Sequence, residues 1–381
     1  MRKIKITSAI LVMLVLPLIC VSQQTIYDTI THDGIQRNYI LYVPDSYDPA
    51  EEALLLFNLH GYGSNAFEQM HYGDFRPIAD TSAFLLVHPN GTTDNVGNTH
   101  WNVGWGTSTV DDVGFISALI DSLSTNYSID PEKIYSTGMS NGGFMSYLLA
   151  CELSNRIAAI ASVTGSMTKG LPNSCSPDHP MPVMEIHGTA DFVVPYDGAL
   201  WVESIEAVLN YWVGFDACDT IPVITDMPDI DTTDGSTVEH QRFMHGDNGV
   251  EVEHFKVIGG GHTWPGSVYG GQGTNRDIDA SAEIWAFFIK YDINGSINQT
   301  GIDPQIAENR LILYPNPVSR KLCIESPELN EQEYKLFSGQ GKLLRSGTLE
   351  AGYQEIDMSH FAPGLYILRT GSNSYPVVKT Q

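Results

Sequence analysis

Ser140 sits in the run Gly138-Met139-Ser140-Asn141-Gly142, after a short β-type stretch from Lys133 to Ser136 and before a helical pattern. A serine flanked by small residues at a strand-to-helix turn is lifted clear of the sheet edge. The helix behind it favours the negative charge that develops when the serine oxygen attacks a carbonyl. Such chemistry also needs a base, an acid that orients the base, and donors for the oxyanion. His262 is the expected base, in Gly259-Gly260-Gly261-His262-Thr263-Trp264-Pro265-Gly266, a glycine-rich turn that follows an apolar run ending at Ile258. Asp191 is the expected acid, closing Met184-Glu185-Ile186-His187-Gly188-Thr189-Ala190-Asp191, where an apolar strand ends in a turn. Asp197 and Asp216 are rival acids farther from the strand end. The expected oxyanion donors are two backbone N–H groups. One belongs to Asn141 and the other to Tyr62, in the run His60-Gly61-Tyr62-Gly63 after the apolar stretch Ala53 to Leu59. Serine, acid and histidine follow one another in the order that acyl transfer on an open α/β sheet requires.

Trp101, Trp105 and Trp264 are candidates for an aromatic wall that stacks on a substrate ring, and Trp264 is the foremost because it lies so close to His262. Asp111-Asp112 opens a helical segment, and capping explains the pair more simply than metal binding does. The chain has no His-Glu-x-x-His run and no paired metal-ligand spacing, so no metal and no cofactor are expected.

The elements that must position these groups alternate. Gln24 to Thr31 and Ile35 to Val43 flank Asp33-Gly34 and predict an antiparallel hairpin. Continuous apolar runs at Ala53 to Leu59, Phe84 to Val87, Ile157 to Val163, Val183 to Ile186 and His254 to Ile258 predict strands buried on both faces. Helical patterns fall at Val113 to Leu123, Gly142 to Leu153 and Asp279 to Tyr291. This alternation predicts a mainly parallel, doubly wound sheet.

Composition bounds the partners. The chain has 381 residues, with 45 acidic and 20 basic side chains for a formal charge of -25. That balance disfavours nucleic acid and anionic lipid as partners. The first residues, Met1-Arg2-Lys3-Ile4-Lys5, are basic, and the apolar run Ala9 to Cys20 follows. Together they predict a signal peptide over 1–22 and no spanning segment in the mature chain, with Cys20 as a weaker lipid-attachment alternative. Four further cysteines could pair in three ways. The shortest bridge is Cys151 to Cys175, Cys175 to Cys218 is an alternative, and Cys323 falls in a separate region. A polar stretch over 293–308 reads as a linker between a catalytic domain over 23–292 and a small all-β module over 309–381.

His60-Gly61-Tyr62-Gly63, Asp111-Asp112-Val113-Gly114-Phe115, Gly138-Met139-Ser140-Asn141-Gly142-Gly143, His187-Gly188-Thr189-Ala190-Asp191 with Val194-Pro195-Tyr196, and Gly261-His262-Thr263-Trp264-Pro265-Gly266 together resemble the polyhydroxybutyrate depolymerase-like and feruloyl esterase family. The resemblance implies an α/β-hydrolase fold and a serine carboxylic ester hydrolase. Its substrates would be plant cell-wall esters, feruloyl or acetyl groups on xylan, with short polyesters as the alternative. Many polyester depolymerases of the family carry cysteine where this chain has Tyr62, which favours the wall esters. A reading from another class is an inactive hydrolase fold that binds a surface polymer. The tail, with Leu313-Tyr314-Pro315-Asn316-Pro317, Tyr334-Lys335-Leu336-Phe337 and Pro363-Gly364-Leu365-Tyr366-Ile367-Leu368-Arg369, resembles a type IX secretion sorting domain of β-sandwich type. That resemblance implies recognition by secretion machinery and a secreted or cell-surface-attached protein. An accessory binding module is the alternative.

Overall fold

The computed structural model describes residues 23–297 and, beyond them, 312–314, 318, 320–326, 332–338, 342–349, 352–362, 364–370 and 373–379. The expected signal peptide with Cys20, most of the expected linker, and Pro315, Asn316, Pro317 and Pro363 lie outside these residues. The chain divides into two units near Asn298.

The first unit opens with β1 (Gln24–His32) and β2 (Ile35–Val43), which pair antiparallel in register. Asp33 and Gly34 both take positive φ, 50° and 75°, the two-residue turn whose twist matches that of its strands. Then follow β3 (Ala53–Leu59), α1 (Ala66–Tyr72), α2 (Arg76–Ser82), β4 (Leu85–Pro89), a small ribbon of β5 (Thr92–Thr93) with β6 (Thr99–His100), and α3 (Asp112–Asn126). Next come β7 (Ile129–Met139), α4 (Asn141–Glu152), β8 (Ala159–Val163), β9 (Val183–Gly188) and α5 (Ile205–Phe215). The unit ends with β10 (Val223–Asp226), β11 (Thr237–Phe243), β12 (Val252–Ile258), α6 (Ala280–Phe288), and a closing hairpin of β13 (Tyr291–Asp292) and β14 (Gly295–Ser296). That hairpin takes up residues read from sequence as the start of the linker.

The main sheet runs β1-β2-β4-β3-β7-β8-β9-β12-β11-β10. Its six central strands, β4, β3, β7, β8, β9 and β12, pair in parallel, and antiparallel strands flank them on both sides. Because successive side chains point to opposite faces, a strand apolar at every position must be covered twice. In β3, Leu55, Phe57 and Leu59 join one core with Phe115 and Leu119 of α3 and Trp212 of α5. Leu56 joins the other with Ala79 of α2 and Ile284 and Phe287 of α6.

Helix starts follow local chemistry. Asp111 caps α3 by accepting from the Gly114 N–H at 2.8 Å, while its neighbour Asp112 is buried against Arg37 at 2.6 Å. Ser204 caps α5, and Asp279 caps α6 by accepting from the N–H groups of Ser281 and Ala282. Cys151 and Cys175 form a disulfide, which leaves Cys218 a buried thiol.

The second unit is antiparallel throughout its two sheets. One holds β15 (Ile312–Tyr314), β16 (Lys321–Ser326) and β19 (Gly352–Asp357). The other holds β17 (Gln332–Ser338), β18 (Leu343–Leu349), β20 (Gly364–Thr370) and β21 (Asn373–Lys379). Leu322, Ile324 and Ile356 from one sheet meet Leu336, Leu368 and Val377 from the other, so the two faces share one core.

Removing the disulfide with the double variant C151A/C175A is expected to lower stability by about 3 kcal/mol, given the 24-residue separation of the two cysteines. Urea unfolding of the full chain measures it.

Candidate active site

β7 ends at Met139 and α4 begins at Asn141, so Ser140 alone makes the turn, with φ 53° and ψ −118°. That is a strained conformation for a residue with a side chain, and it is the geometry that raises a nucleophile above the sheet. The turn is held by the Ser140 N–H donating to the Val163 carbonyl at 2.8 Å and the Phe144 N–H donating to the Ser140 carbonyl at 3.0 Å. Only a glycine fits at 142, because a Cβ there would lie 2.2 Å from the carbonyl oxygen of Leu59.

The same contact brings the end of β3 to the elbow, and with it His60 to Gly63. His60 is buried, its Nδ1 donates to the Gly61 carbonyl at 2.8 Å, and its Nε2 accepts from the Gly91 N–H at 2.9 Å. Burial pushes the ring down to about 4, so it remains neutral and keeps both bonds. Asn141 is the first residue of α4, and its N–H has no acceptor within the helix. Its side chain accepts from the Trp101 N–H at 2.6 Å and donates to the Trp101 carbonyl at 3.1 Å. Trp101 Nε1 then donates to the His60 carbonyl at 3.0 Å. The Tyr62 hydroxyl donates to Asp94 at 2.6 Å, tethering the other expected donor loop to the β5–β6 ribbon.

Asp191 and His262 come from the loops after β9 and β12, and His262 Nδ1 donates to Asp191 Oδ2 at 2.7 Å. Asp191 is buried and its Oδ1 accepts from the N–H groups of Val193 and Val194 at 2.8 and 2.9 Å, so both oxygens are engaged. The two loops pack backbone to backbone. A Cβ on residue 188 would lie 2.2 Å from the Gly260 carbonyl oxygen, and the Ala190 N–H donates to that carbonyl at 2.9 Å. The rival acids are elsewhere: Asp216 is buried and accepts from the Met181 N–H, and Asp197 is exposed.

Of the three tryptophans, Trp105 alone lines the cavity that contains Ser140. This cavity, of about 650 Å³, is walled by Tyr62, Trp105, Thr168, Lys169, Val193 and Trp201. Trp105 lies edge-on to Trp201 with ring centroids 5.7 Å apart. Trp264, the foremost sequence candidate, is instead buried against Phe75, with Nε1 donating to Ser281. The chain turns inward after His262, so nearness in sequence does not carry the ring to the cavity. Trp101 is buried, bonded to Asn141 and His60. Trp201 escaped sequence reading because it sits in an irregular segment with no periodic pattern; a lone tryptophan just after the Val194-Pro195-Tyr196 run was its only signal.

Residues 37–218 match the family described as Esterase PHB depolymerase, and residues 312–381 match the Secretion system C-terminal sorting domain. The chain is 28% identical over 281 residues to the bifunctional acetylxylan esterase/xylanase XynS20E of Neocallimastix patriciarum, covering 73% of this chain and 37% of that one. It is 31% identical over 169 residues to feruloyl esterase C of Emericella nidulans, covering 43% of this chain and 58% of that one. It is 32% identical over 198 residues to a probable feruloyl esterase C of Aspergillus flavus, covering 50% of this chain and 68% of that one. The chain belongs to the PHB depolymerase and feruloyl esterase family. This esterase-family chain thus spans little more than a third of the first of these relatives and under two thirds of the second. Its second unit, as a sorting domain, marks the esterase-family protein as secreted or attached to the cell surface.

The neutral ring of His60 makes a pH-dependent contribution with a definite sign. Its folded-state value lies below the ordinary 6.5, so the contribution is complete above about pH 6.5 and is lost as pH falls toward about 4. The stability advantage of the wild type over H60Q should therefore shrink by up to about 1.4 kcal/mol per pH unit across that interval. Denaturant unfolding at a series of pH values reads the difference.

Proposed function

We propose that the protein is a secreted carboxylic ester hydrolase working through an acyl-enzyme, with Ser140 as nucleophile, His262 as base and Asp191 as orienting acid. The 2.7 Å bond between His262 Nδ1 and Asp191, on loops at the same end of the sheet as the Ser140 elbow, carries this assignment. With Nδ1 occupied by Asp191, Nε2 is the ring nitrogen left to take a proton. Ser140 Oγ attacks the ester carbonyl carbon as its proton passes to His262 Nε2, and the imidazolium is stabilised by Asp191. The carbonyl oxygen becomes an oxyanion that the N–H groups of Asn141 and Tyr62 receive, supported by the positive end of α4. Collapse breaks the bond to the alcohol, which leaves with the proton from His262. Water then attacks the acyl-enzyme, gives its proton to His262, and the acid departs as Ser140 regains its hydrogen.

The substrate class follows from the cavity wall. Trp105, Trp201 and Tyr62 present ring surface beside Ser140, which suits a planar phenolic acyl group. Two relatives are named feruloyl esterases and a third an acetylxylan esterase, and a feruloyl or acetyl ester on xylan is accordingly the proposed substrate.

S140A should abolish release of product from methyl ferulate, acetylated xylan and a 3-hydroxybutyrate oligomer alike, together with labelling by a fluorophosphonate. D191N should lower kcat by about four orders of magnitude. Labelling of S140A, or turnover by it, would remove the serine from its role, while an inert, folded wild type would support a polymer-binding protein instead. Preferential clearing of the hydroxybutyrate oligomer would reassign the substrate to polyesters.

Replacing the exposed ring with W201A should raise KM for methyl ferulate by about tenfold, the loss of one aromatic contact, while leaving an acetyl ester little changed. Equal effects on the two esters would show that Trp201 does not read the acyl group.

A further inference from the structure

Glu185 and His187 lie two residues apart on β9, and both are completely buried. His187 Nε2 is 2.9 Å from the Val194 carbonyl, and since a carbonyl only accepts, that nitrogen carries hydrogen. Its Nδ1 is 2.9 Å from Glu185 Oε1, whose other oxygen accepts from the Tyr147 hydroxyl at 2.8 Å. Asp191 Oδ2, the atom that receives the bond from His262, lies 3.4 Å from His187 Nε2. Burial alone would push the His187 imidazolium down, but the carboxylates of Glu185 and Asp191 override it and hold the ring above the ordinary histidine range. The other groups packed here do not compete for that proton. His254 on β12 donates from Nδ1 to the Glu185 carbonyl, and burial holds its ring neutral, down to about 3. Its Nε2 is bonded to the Tyr196 hydroxyl, and the Tyr196 ring lies edge-on to His187 at 5.9 Å beneath the Lys256 ammonium.

A connected path results. His187 holds the Val194 carbonyl, the Val194 N–H holds Asp191 Oδ1, and Asp191 Oδ2 holds His262. We propose that His187, held between Glu185 and the Val194 carbonyl, is the positioning residue of the acid loop, fixing Asp191 through the Val194 peptide with a positive charge beside its Oδ2. The inference rests on the assignment of Asp191 and His262 to ester cleavage. Its consequence is that Asp191 keeps both oxygens in place and orients His262 while the leaving alcohol takes its proton from that ring. A buried ion pair is a poor source of stability compared with apolar packing, which gives the pair a reason to exist other than the fold.

The charge is read on the unmodified full-length chain by nitrogen NMR with labelled histidine, assigned by comparison with H187Q. Both ring nitrogens of His187 should be protonated from pH 6 to 8, and a ring with one bare nitrogen in that range overturns the proposal. H187Q retains a donor toward the Val194 carbonyl but not the charge. It should lower kcat by about tenfold with KM changed less than about twofold, and move the acid limb of the kcat/KM profile to higher pH. H187F, which removes donor and charge, should lose kcat further and label more slowly with a fluorophosphonate. An unmoved pH profile in H187Q overturns the proposal, as does wild-type kcat in H187F. The NMR readout needs no turnover, so an inert wild type would sink the ester-hydrolase assignment while the charge of His187 was still measured.

Discussion

The carbonyl oxygen of Leu59 occupies the place where a side chain on residue 142 would have to sit. This close approach of β3 to the start of α4 lets one residue, Ser140, reverse the chain between strand and helix, and it sets the His60–Gly63 loop beside that residue. The hydrogen bonds of Asn141 with Trp101, and of Trp101 with His60, lock the two segments in this relation. The Ser140 turn and the neighbouring backbone N–H groups of Asn141 and Tyr62 are therefore consequences of a single backbone contact. Its strain is sustained by the packing on both faces of β7, with Ile134 in one core and Tyr135 in the other.

A second close approach, Gly188 on Gly260, does the same for Asp191 and His262. It joins the ends of β9 and β12, which are neighbours in the sheet, so Asp191 and His262 meet although 71 residues separate them. Behind them, Glu185 and His187 on β9 are hydrogen-bonded to one another.

Much of this frame was legible in the residues. The continuous apolar runs announce doubly covered strands, and the glycines that flank Ser140 and follow His187 announce turns with no room for a side chain. The central strands, the opening hairpin with its Asp33-Gly34 turn, and the capped helices α3 and α6 all lie where local pattern places them. Helix α5 carries Val208, Leu209, Trp212 and Val213 on one stripe after a Ser204 cap, and its period was available but competed with the surrounding loops. The edge strand β10 and its neighbour β11 are largely exposed or half-buried and carry little apolar signal. The aromatic wall was the least legible part. Which tryptophan faces a cavity depends on how a loop turns in three dimensions, so Trp264 is turned into the core while Trp201 lines the cavity that contains Ser140 from a segment without regular structure. The network behind Asp191 was equally hidden, because His187 and Glu185 read as ordinary members of a buried strand.

The disulfide acquires a different meaning when its place is considered. Cys151 lies near the end of α4, the helix that follows Ser140, and Cys175 follows the segment whose Thr168 and Lys169 wall the cavity that contains Ser140. The bond therefore leashes one side of the cavity to α4. Thiols remain reduced in the cytosol and oxidise outside it. A newly made chain thus carries its wall unleashed until it has been exported, and a single oxidation couples the finishing of the cavity to arrival in the compartment where a substrate outside the cell would be met.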